Sequence, residues 1–505
     1  MEFVFNSWFG ILILVAINLF FYLRWLVPKV ASRPPGPPCW PIVGSLFYLS
    51  KIPHRSMENL AKKYGPIMYL RLGCLDHIIV SNADMAMEVL KIHDGDFASR
   101  PCMLAGKYAG FDWSSIGFSE YGDHWRLLRK ICATKLFTQE RLNSFQHGRQ
   151  HEMACMVENI AKCSQGGKFV EMRPILLQLT RNNICRMLFG ERPQKSNDIL
   201  GNDFDDYFKS FSEMVTVVGK FNLSELIPIL KPFDLQGLER HMKRLKIRID
   251  NSLSNILKEY RKGNKTIVDS TMANFVEILL NLDKKLDDKS IMGVLSDMLE
   301  GGTSTSAFTM EWALLELILH PKIMKRAQEE LDRVVGKNRR VFESDLPNLP
   351  YLQAIIKENF RLHPVVPLAV PHLTSKDTQI LNYKIPANTI VLVNVWAIGH
   401  DPKVWKRPLE FDPDRVFGLD INVGGSNYNL LPFGSGRRRC PGLDLAQLMV
   451  QCGLATILHA FDWSLKPNVK LEDMNMMEDV GATSPLVEPL IVVAKPRLPI
   501  EIYKW

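Results

Sequence analysis

Several protein classes are excluded by what this chain of 505 residues does not have. Its nine cysteines, Cys39, Cys74, Cys102, Cys132, Cys155, Cys163, Cys185, Cys440 and Cys452, are odd in number and follow no repeating spacing. That argues against a disulfide framework and for a reducing compartment. No C-x-x-C pair and no H-E-x-x-H occurs, so a zinc site lacks support. Internal repeats and low-complexity tracts are absent, and with 46% hydrophobic and 23% charged residues the chain is neither disordered nor fibrous. Basic residues do not interleave with aromatics, so nucleic acid is not an expected partner. The net charge of +8 suits an anionic membrane surface or an acidic protein.

One long apolar run is present. Trp8–Leu23 is interrupted only by Gly10 and Asn18, close to the roughly 20 residues that cross a bilayer, and Trp25–Val27 extends it past Arg24. With no basic segment before it and no small-x-small cleavage site after it, the run reads as an uncleaved anchor. Arg24, Lys29 and Arg33 follow, which places the bulk of the chain in the cytosol. Prolines at 34, 35, 37, 38 and 41 make the next stretch an extended, semi-rigid spacer. The organisation is therefore an anchor over 1–28, a Pro-rich hinge over 29–46 and a folded body over 47–505.

Within that body, Ile67–Val80 reads as a small hairpin turning at Gly73–Leu75, and helical periodicity runs from Asp84 to about residue 340. Lys384–Trp396 alternates like a second hairpin, and Ile491–Tyr503 like a closing strand pair. The prediction is a mainly α fold with a minor β-sheet. Phe204–Leu238, rich in Phe, Leu, Ile and Pro, reads equally well as an apolar loop at a substrate entrance in the membrane and as ordinary core.

The strongest signal is Leu431–Gly442, LPFGSGRRRCPG. Phe433, Gly436, Arg438, Cys440 and Gly442 fit F-x-x-G-x-R-x-C-x-G, a spacing that average residue frequencies produce in a chain this long about once in ten thousand times. Pro441 and the apolar run Leu443–Leu458 put Cys440 at a helix N-terminus, where free amides and the macrodipole favour a thiolate. Glycines at 434, 436 and 442 let the backbone close around the sulfur, and the three arginines supply cations for a carboxylate-bearing cofactor.

Four further patterns accompany it. Trp125 and Arg129 are spaced i,i+4 and share a helix face; Asp297, Gly301 and Thr305 form one stripe of a long helix over Lys289–Leu319. At that helix's centre, EGGTSTS (Glu300–Ser306) combines two glycines with hydroxyls that compete for carbonyls, which predicts a local bulge. Glu358 and Arg361 form E-x-x-R, and Arg415 lies in FDPDRV.

In these residues the chain resembles the cytochrome P-450 superfamily, and most closely its plant-type microsomal branch. The resemblance covers essentially everything after the anchor and implies a fold with haem b held between the long distal helix and the cysteine-loop helix. It makes Cys440 the axial thiolate of the haem iron, with Phe433 beside the sulfur and Gly442 closing the loop. Trp125, Arg129, His372 and Arg438 become the haem contacts. Glu358, Arg361 and Arg415 become a buried ionic set supporting the cysteine loop. Gly301, Gly302, Ser304 and Thr305 become the catalytic stretch, with Ser304 standing where the family motif A/G-G-x-D/E-T has its acid; serine with water, Glu300 or Asp297 remain open as substitutes.

The implied activity is hydroxylation of a small hydrophobic natural product, a phenylpropanoid, flavonoid or terpenoid, with dioxygen and electrons from NADPH. Those electrons would arrive through a membrane-bound flavoprotein reductase at the endoplasmic reticulum, with cytochrome b5 as a second candidate donor. Arg126, Lys130, Lys135, Arg437 and Arg439 are a candidate docking face. Candidate pocket residues are Phe111, Trp113, Ile116, Asp297, Val365, Val366, Leu368, Ala369, Ala482 and Thr483. Two rivals stay open: a haem-thiolate isomerase or dehydratase acting on a peroxide, and a haem-binding sensor without turnover.

Overall fold

The computed structural model describes residues 15, 33–190, 192, 199–262, 273–282, 286–467, 469–470, 473–479 and 481–503. The anchor expected over Trp8–Leu23 lies, except for Val15, outside the described residues.

The helices that carry the argument are α1 (Asp123–Lys135), α2 (Met172–Phe189), α3 (Ile199–Val218), α4 (Leu238–Lys262), α5 (Asp288–Leu319), α6 (Pro350–Leu362) and α7 (Leu443–Ala460). The strands are β1 (Ile67–Leu72), β2 (Leu75–Val80), β3 (Val170–Glu171), β4 (His372–Leu373), β5 (Thr378–Ile380), β6 (Tyr383–Ile385), β7 (Ile390–Val393), β8 (Phe461–Leu465) and β9 (Ile491–Pro496).

Local chemistry sets the helix ends. In α1, Asp123 sits in the first turn and Lys135 in the last, each complementing the macrodipole, and Trp125, Leu128, Ile131 and Cys132 form its buried face. The Asp287 side chain caps α5 by accepting from the Ser290 amide, and the helix ends at His320, just before Pro321. At 32 residues α5 is about 48 Å long, enough to cross the whole body. α7 is apolar on nearly every side and mostly buried, so although long enough to span a bilayer it is a core helix. Gly453 lets it approach α5 closely: a Cβ there would fall 2.3 Å from the Met310 sulfur.

Among the described residues, three sheets flank this helical core. β1 and β2 form the expected hairpin, Ile67 opposite Val80, turning at Gly73 and Cys74. The larger sheet has the order β1-β2-β7-β4, with β2 and β7 parallel; a second sheet has the order β3-β9-β8, and β5-β6 is a hairpin of its own.

Three expectations need correction, and one stretch that reads equally as loop or core divides between the two. The hairpin expected within Lys384–Trp396 is divided. Its first half pairs backwards as β6 with β5 across the left-handed Leu381, whereas β7 joins the large sheet, His77 opposite Ile390. Ile491–Tyr503 does not pair with itself either. Pro496 and Pro499 offer no amide for a ladder, so β9 pairs with β8 and β3 and the chain ends in a 3-10 turn at Ile500–Tyr503. The bulge expected at Glu300–Ser306 does not form. α5 runs through it as unbroken α-helix, because the Thr303 and Thr305 hydroxyls donate to the Leu299 and Gly301 carbonyls as extra donors without breaking the helix. Phe204–Leu238 is not one loop: its first part lies in α3, with Phe204, Tyr207, Phe211 and Met214 in the core, and only the stretch beyond Phe221 breaks into short turns.

Candidate active site

The cysteine loop closes on itself before α7 begins. The Cys440 amide donates to the Phe433 carbonyl at 3.0 Å, and Gly434 donates to Leu431 at 3.1 Å. Gly434 and Gly436 hold φ of +66° and +69°, the left-handed region where glycine carries no steric penalty. At Gly436 a Cβ would also fall 2.3 Å from the Leu90 carbonyl oxygen, so the loop is locked against the segment before Arg100. Gly442 caps α7, and its amide hydrogen-bonds the Cys440 sulfur. Burial nevertheless pushes the Cys440 thiol up, opposed by that amide and by Arg129 and Arg439. Phe433 packs edge-on against Phe360 of α6, ring centres 5.3 Å apart.

Cys440 lines a cavity of about 350 Å³, bounded by the loop and α7 on one side and by Asp297, Gly301, Gly302, Thr305 and Thr309 of α5 on the other. Cationic and polar groups collect at one rim. Arg438 donates to the carbonyls of Ala98 (2.6 Å), Ile116 (3.1 Å) and Ser119 (2.6 Å). Arg100 donates to those of Gly117, Val370 and Pro371. Arg129 has neither hydrogen bond nor ion pair among the described residues, and the Trp125 indole N–H is buried without a partner. Burial lowers all three arginines, Arg438 to about 10, and among the described residues no carboxylate bonds any of them.

His372, on β4, completes the rim. Its Nδ1 lies 2.8 Å from the Phe97 carbonyl, an acceptor only, so Nδ1 carries the proton and Nε2 does not when the ring is neutral. Burial, then Arg100, holds this histidine down to about 3. Three partly desolvated guanidiniums and an orphaned indole donor around one cavity fit a cofactor that brings carboxylates. The donor set, one cysteine facing apolar walls, fits a single axial thiolate to iron.

The α5 wall is polar only in places. Thr305 Oγ1 donates 2.7 Å to the Gly301 carbonyl. Asp297 accepts 2.9 Å from the Gly117 amide; burial pushes its carboxyl up to about 6 while that amide pulls the other way. Ser304 does not line the cavity but faces aside to Glu300.

Behind the loop, Glu358 receives two arginines. Arg361 donates through Nε and Nη2 at 2.8 Å each, and Arg415 through Nε at 2.9 Å, with the Glu358 and Arg361 side chains fully buried. Arg361 also donates to the carbonyls of Gly399, Pro408 and Glu410, which clips the segment leading to the cysteine loop onto α6.

Of the pocket candidates, Ile116, Asp297, Val365, Val366 and Ala369 line the cavity, whereas Phe111, Trp113, Leu368, Ala482 and Thr483 do not. Phe111, Asp112 and Trp113 form a left-handed turn (φ 52°, 53° and 58°) that buries Phe111 beneath Lys246 and lays Trp113 over Gly106. Leu368 joins the apolar cluster beneath β1 and β7. Ala482, with Gly481, abuts Gly219 just past the end of α3, and Thr483 folds back against Gly481. Sequence reasoning missed Arg100, Ile184 and Val370. Arg100 stands between Ser99 and Pro101 in no pattern that marks it, and Ile184 is revealed only by its contact with Gly302.

Comparison with known proteins agrees with this geometry. A family model described as Cytochrome P450 matches residues 34–490. A flavonoid 3'-monooxygenase of Arabidopsis thaliana is 41% identical over 483 residues, 93% of each chain. A flavonoid 3'-monooxygenase of Petunia hybrida is 39% identical, covering 98% of this chain and 97% of its own. A dimethylnonatriene synthase of Zea mays is 39% identical over 94% and 93%.

Proposed function

The chain belongs to the cytochrome P450 family and is a monooxygenase with haem b as its cofactor, reduced by NADPH through a reductase; on that premise we propose that it hydroxylates a small aromatic natural product of the flavonoid or phenylpropanoid kind. The observation that carries this reading is the likeness to two flavonoid 3'-monooxygenases along almost their whole length, with an apolar cavity wall of Ile116, Ile184, Val365, Val366 and Ala369. A terpenoid substrate is the second reading, favoured by the similar identity to dimethylnonatriene synthase. The isomerase and sensor alternatives are set aside, since the family and its flavonoid relatives are monooxygenases.

Each side chain then has a role. Cys440 holds the iron. Arg100, Trp125, Arg129 and Arg438 would hold the carboxylates; His372 would join them only as the imidazolium, since only then does Nε2 donate, and with the ring held down to about 3 that requires the carboxylate itself to raise it. Glu358, Arg361 and Arg415 keep the loop rigid. When bound, a thiolate-ligated haem supplies the activation of dioxygen and the insertion of one oxygen atom into a C–H bond. Thr305 keeps a hydroxyl at the cavity for proton transfer, and the apolar walls exclude bulk water.

For the electron donor we assign the exposed face bearing Arg126, Lys130, Lys135, Arg437 and Arg439, on which Arg126 and Arg437 both stack against Tyr121, at 5.3 and 5.7 Å. A reductase with an acidic surface fits it; cytochrome b5 is the second candidate. The membrane side is the opposite kind of surface. Trp40, Ile42, Phe47, Ile229, Phe233 and Leu235 are all exposed. Their segments both bond the β1–β2 turn, Gly73 to Val43 and Cys74 to Leu226. This face would rest on the endoplasmic reticulum beside the anchor.

The experiment is a titration of the ferric enzyme with flavonoids, phenylpropanoids and terpenoids, following the spin-state change as iron-bound water is displaced. A shift with flavanones or flavones and none with terpenes supports the first reading; the reverse selects the second.

A further inference from the structure

α5 carries a second polar stripe that the cavity-lining residues do not use. Ser296, Glu300 and Ser304 recur at i, i+4 and i+8, about 100° round the helix from Asp297, Gly301 and Thr305. Tyr207 of α3 meets the stripe at Ser296, hydroxyl to hydroxyl at 2.9 Å. One turn further on, Ser304 Oγ lies 2.9 Å from Glu300 Oε1. Position 304 is the one at which the family motif has its acid. The carboxylate missing there is present one turn earlier, within hydrogen-bonding distance of the residue that replaced it.

We propose that Glu300 is the proton reservoir of the active-site cavity, acting through the Ser304 hydroxyl in place of an acid at position 304. This rests on the monooxygenase reading above.

The choice between the two carboxylates of α5 follows from their partners. Asp297 accepts from the backbone amide of Gly117 at 2.9 Å, and the Ile116 amide beside it also favours its charged form. Protonating Asp297 would weaken the bond that fixes the chain at Ile116 and Gly117. Glu300 is bonded, among the described residues, by a hydroxyl alone. A hydroxyl can reverse, accepting from a carboxylic acid and donating onward, so Glu300 can change protonation state without losing its partner.

The surroundings agree. Burial pushes the Glu300 carboxyl up to about 7, the Ser304 bond opposing, and no cation contributes. The titratable group that feels Glu300 is Tyr207 of α3, driven up by burial and hence neutral; Asp297 and Cys185 of α2, the latter also driven up by burial, act on that same tyrosine. Such a group holds and gives up protons near neutral pH.

The transfer balances. The Glu300 Oε–H passes its proton to Ser304 Oγ while Ser304 releases its own proton to a water beside it, and the carboxylate regains a proton from solvent; Ser304 itself stands off the cavity, so that water is the link to the lining residues Gly301 and Thr305. No bond to carbon changes. The space at the edge is provided by Gly301, where a Cβ would meet nothing within 4 Å.

The test uses the full-length holoenzyme and three variants: Glu300→Gln, Ser304→Ala, and Glu300→Gln combined with Ser304→Asp. Infrared spectra of the resting protein, without turnover, read the carboxylic-acid C=O stretch across pH 6 to 8; turnover reads peroxide released per NADPH. We expect a band that titrates near neutrality and is lost in Glu300→Gln, whose peroxide yield rises several-fold while the reduced carbon monoxide spectrum is unchanged. Adding Ser304→Asp should restore coupling. Ser304→Ala should keep the carboxyl band and still lose coupling, which tests the route even if the glutamine variant folds poorly. Unchanged coupling in Ser304→Ala, or in a spectrally intact Glu300→Gln, would overturn the proposal. Loss of the thiolate carbon monoxide spectrum in the unaltered protein would instead overturn the monooxygenase reading beneath it.

Discussion

The guanidinium of Arg438 lies 4.5 Å from the centre of the Trp125 ring, so the cysteine loop and α1 meet through one cation–π contact at the cavity rim. Among the described residues, the buried indole N–H beside it has no acceptor, and Arg129 one turn on has no anion. Both are explained if a carboxylate of the cofactor sits between them. Trp125→Phe, which keeps the ring and deletes the donor, should then lose haem about tenfold more readily, and Arg129→Met more so. Transfer of haem to an excess of apomyoglobin measures this; retention equal to the parent would remove the assignment.

The Glu358 set predicts a stability effect. Its carboxylate serves Arg361 and Arg415 with no access to water, so Glu358→Gln leaves two buried cations short of an anion. The expected loss is about 3–5 kcal/mol. Denaturant unfolding of the holoenzyme checks it, and a loss below about 1 kcal/mol would mean that the arginines find other acceptors.

A second buried carboxylate sets an acid limit. Burial pushes Glu316 up, but hydrogen bonds from His320 and His363 outweigh it and hold the group at about 2, below its ordinary 4.5. A carboxyl lowered on folding contributes stability that is fully present above its unfolded value and is lost as pH falls through its folded one. Glu316→Gln should therefore flatten the stability curve between about pH 4.5 and 2, and cost about 3 kcal/mol at neutral pH. Thermal denaturation of both proteins across that window gives the answer; parallel curves would sink the prediction.

Much of the site was legible because local spacing carries it. Trp125 and Arg129 had to share a helix face, Cys440 had to precede a helix, and Glu358 and Arg361 had to lie on one side of α6. What was hidden depends on segments far apart in the chain. Arg100 reaches the rim only because Val370 and Pro371, about 270 residues on, offer it carbonyls. β7 is drawn from its expected hairpin by a parallel partner more than 300 residues earlier. The left-handed turn that carries Phe111 and Trp113 away from the cavity places Phe, Asp and Trp, not glycine, at its three positive-φ positions. Propensity also misjudged Glu300–Ser306, since hydroxyls that donate to carbonyls need not break the helix that supplies them.

One turn before Thr309, whose hydroxyl donates to the Thr305 carbonyl, Thr305 puts a hydroxyl on the cavity stripe of α5, donating to Gly301. If it presents a proton there, Thr305→Ala should raise peroxide release per NADPH several-fold and leave substrate affinity within about twofold, while Thr305→Ser stays close to the parent. Oxygen consumption balanced against product and peroxide decides it; coupling unchanged in the alanine variant would argue for a different route.

The whole account turns on the sulfur of Cys440 as the ligand of iron. The most direct measurement is the reduced carbon monoxide difference spectrum of purified protein and of Cys440→Ser. The prediction is a band at the position characteristic of thiolate-ligated haem in the parent and its complete loss in the serine variant. The same band persisting without the sulfur, or a parent spectrum typical of imidazole ligation, would contradict it.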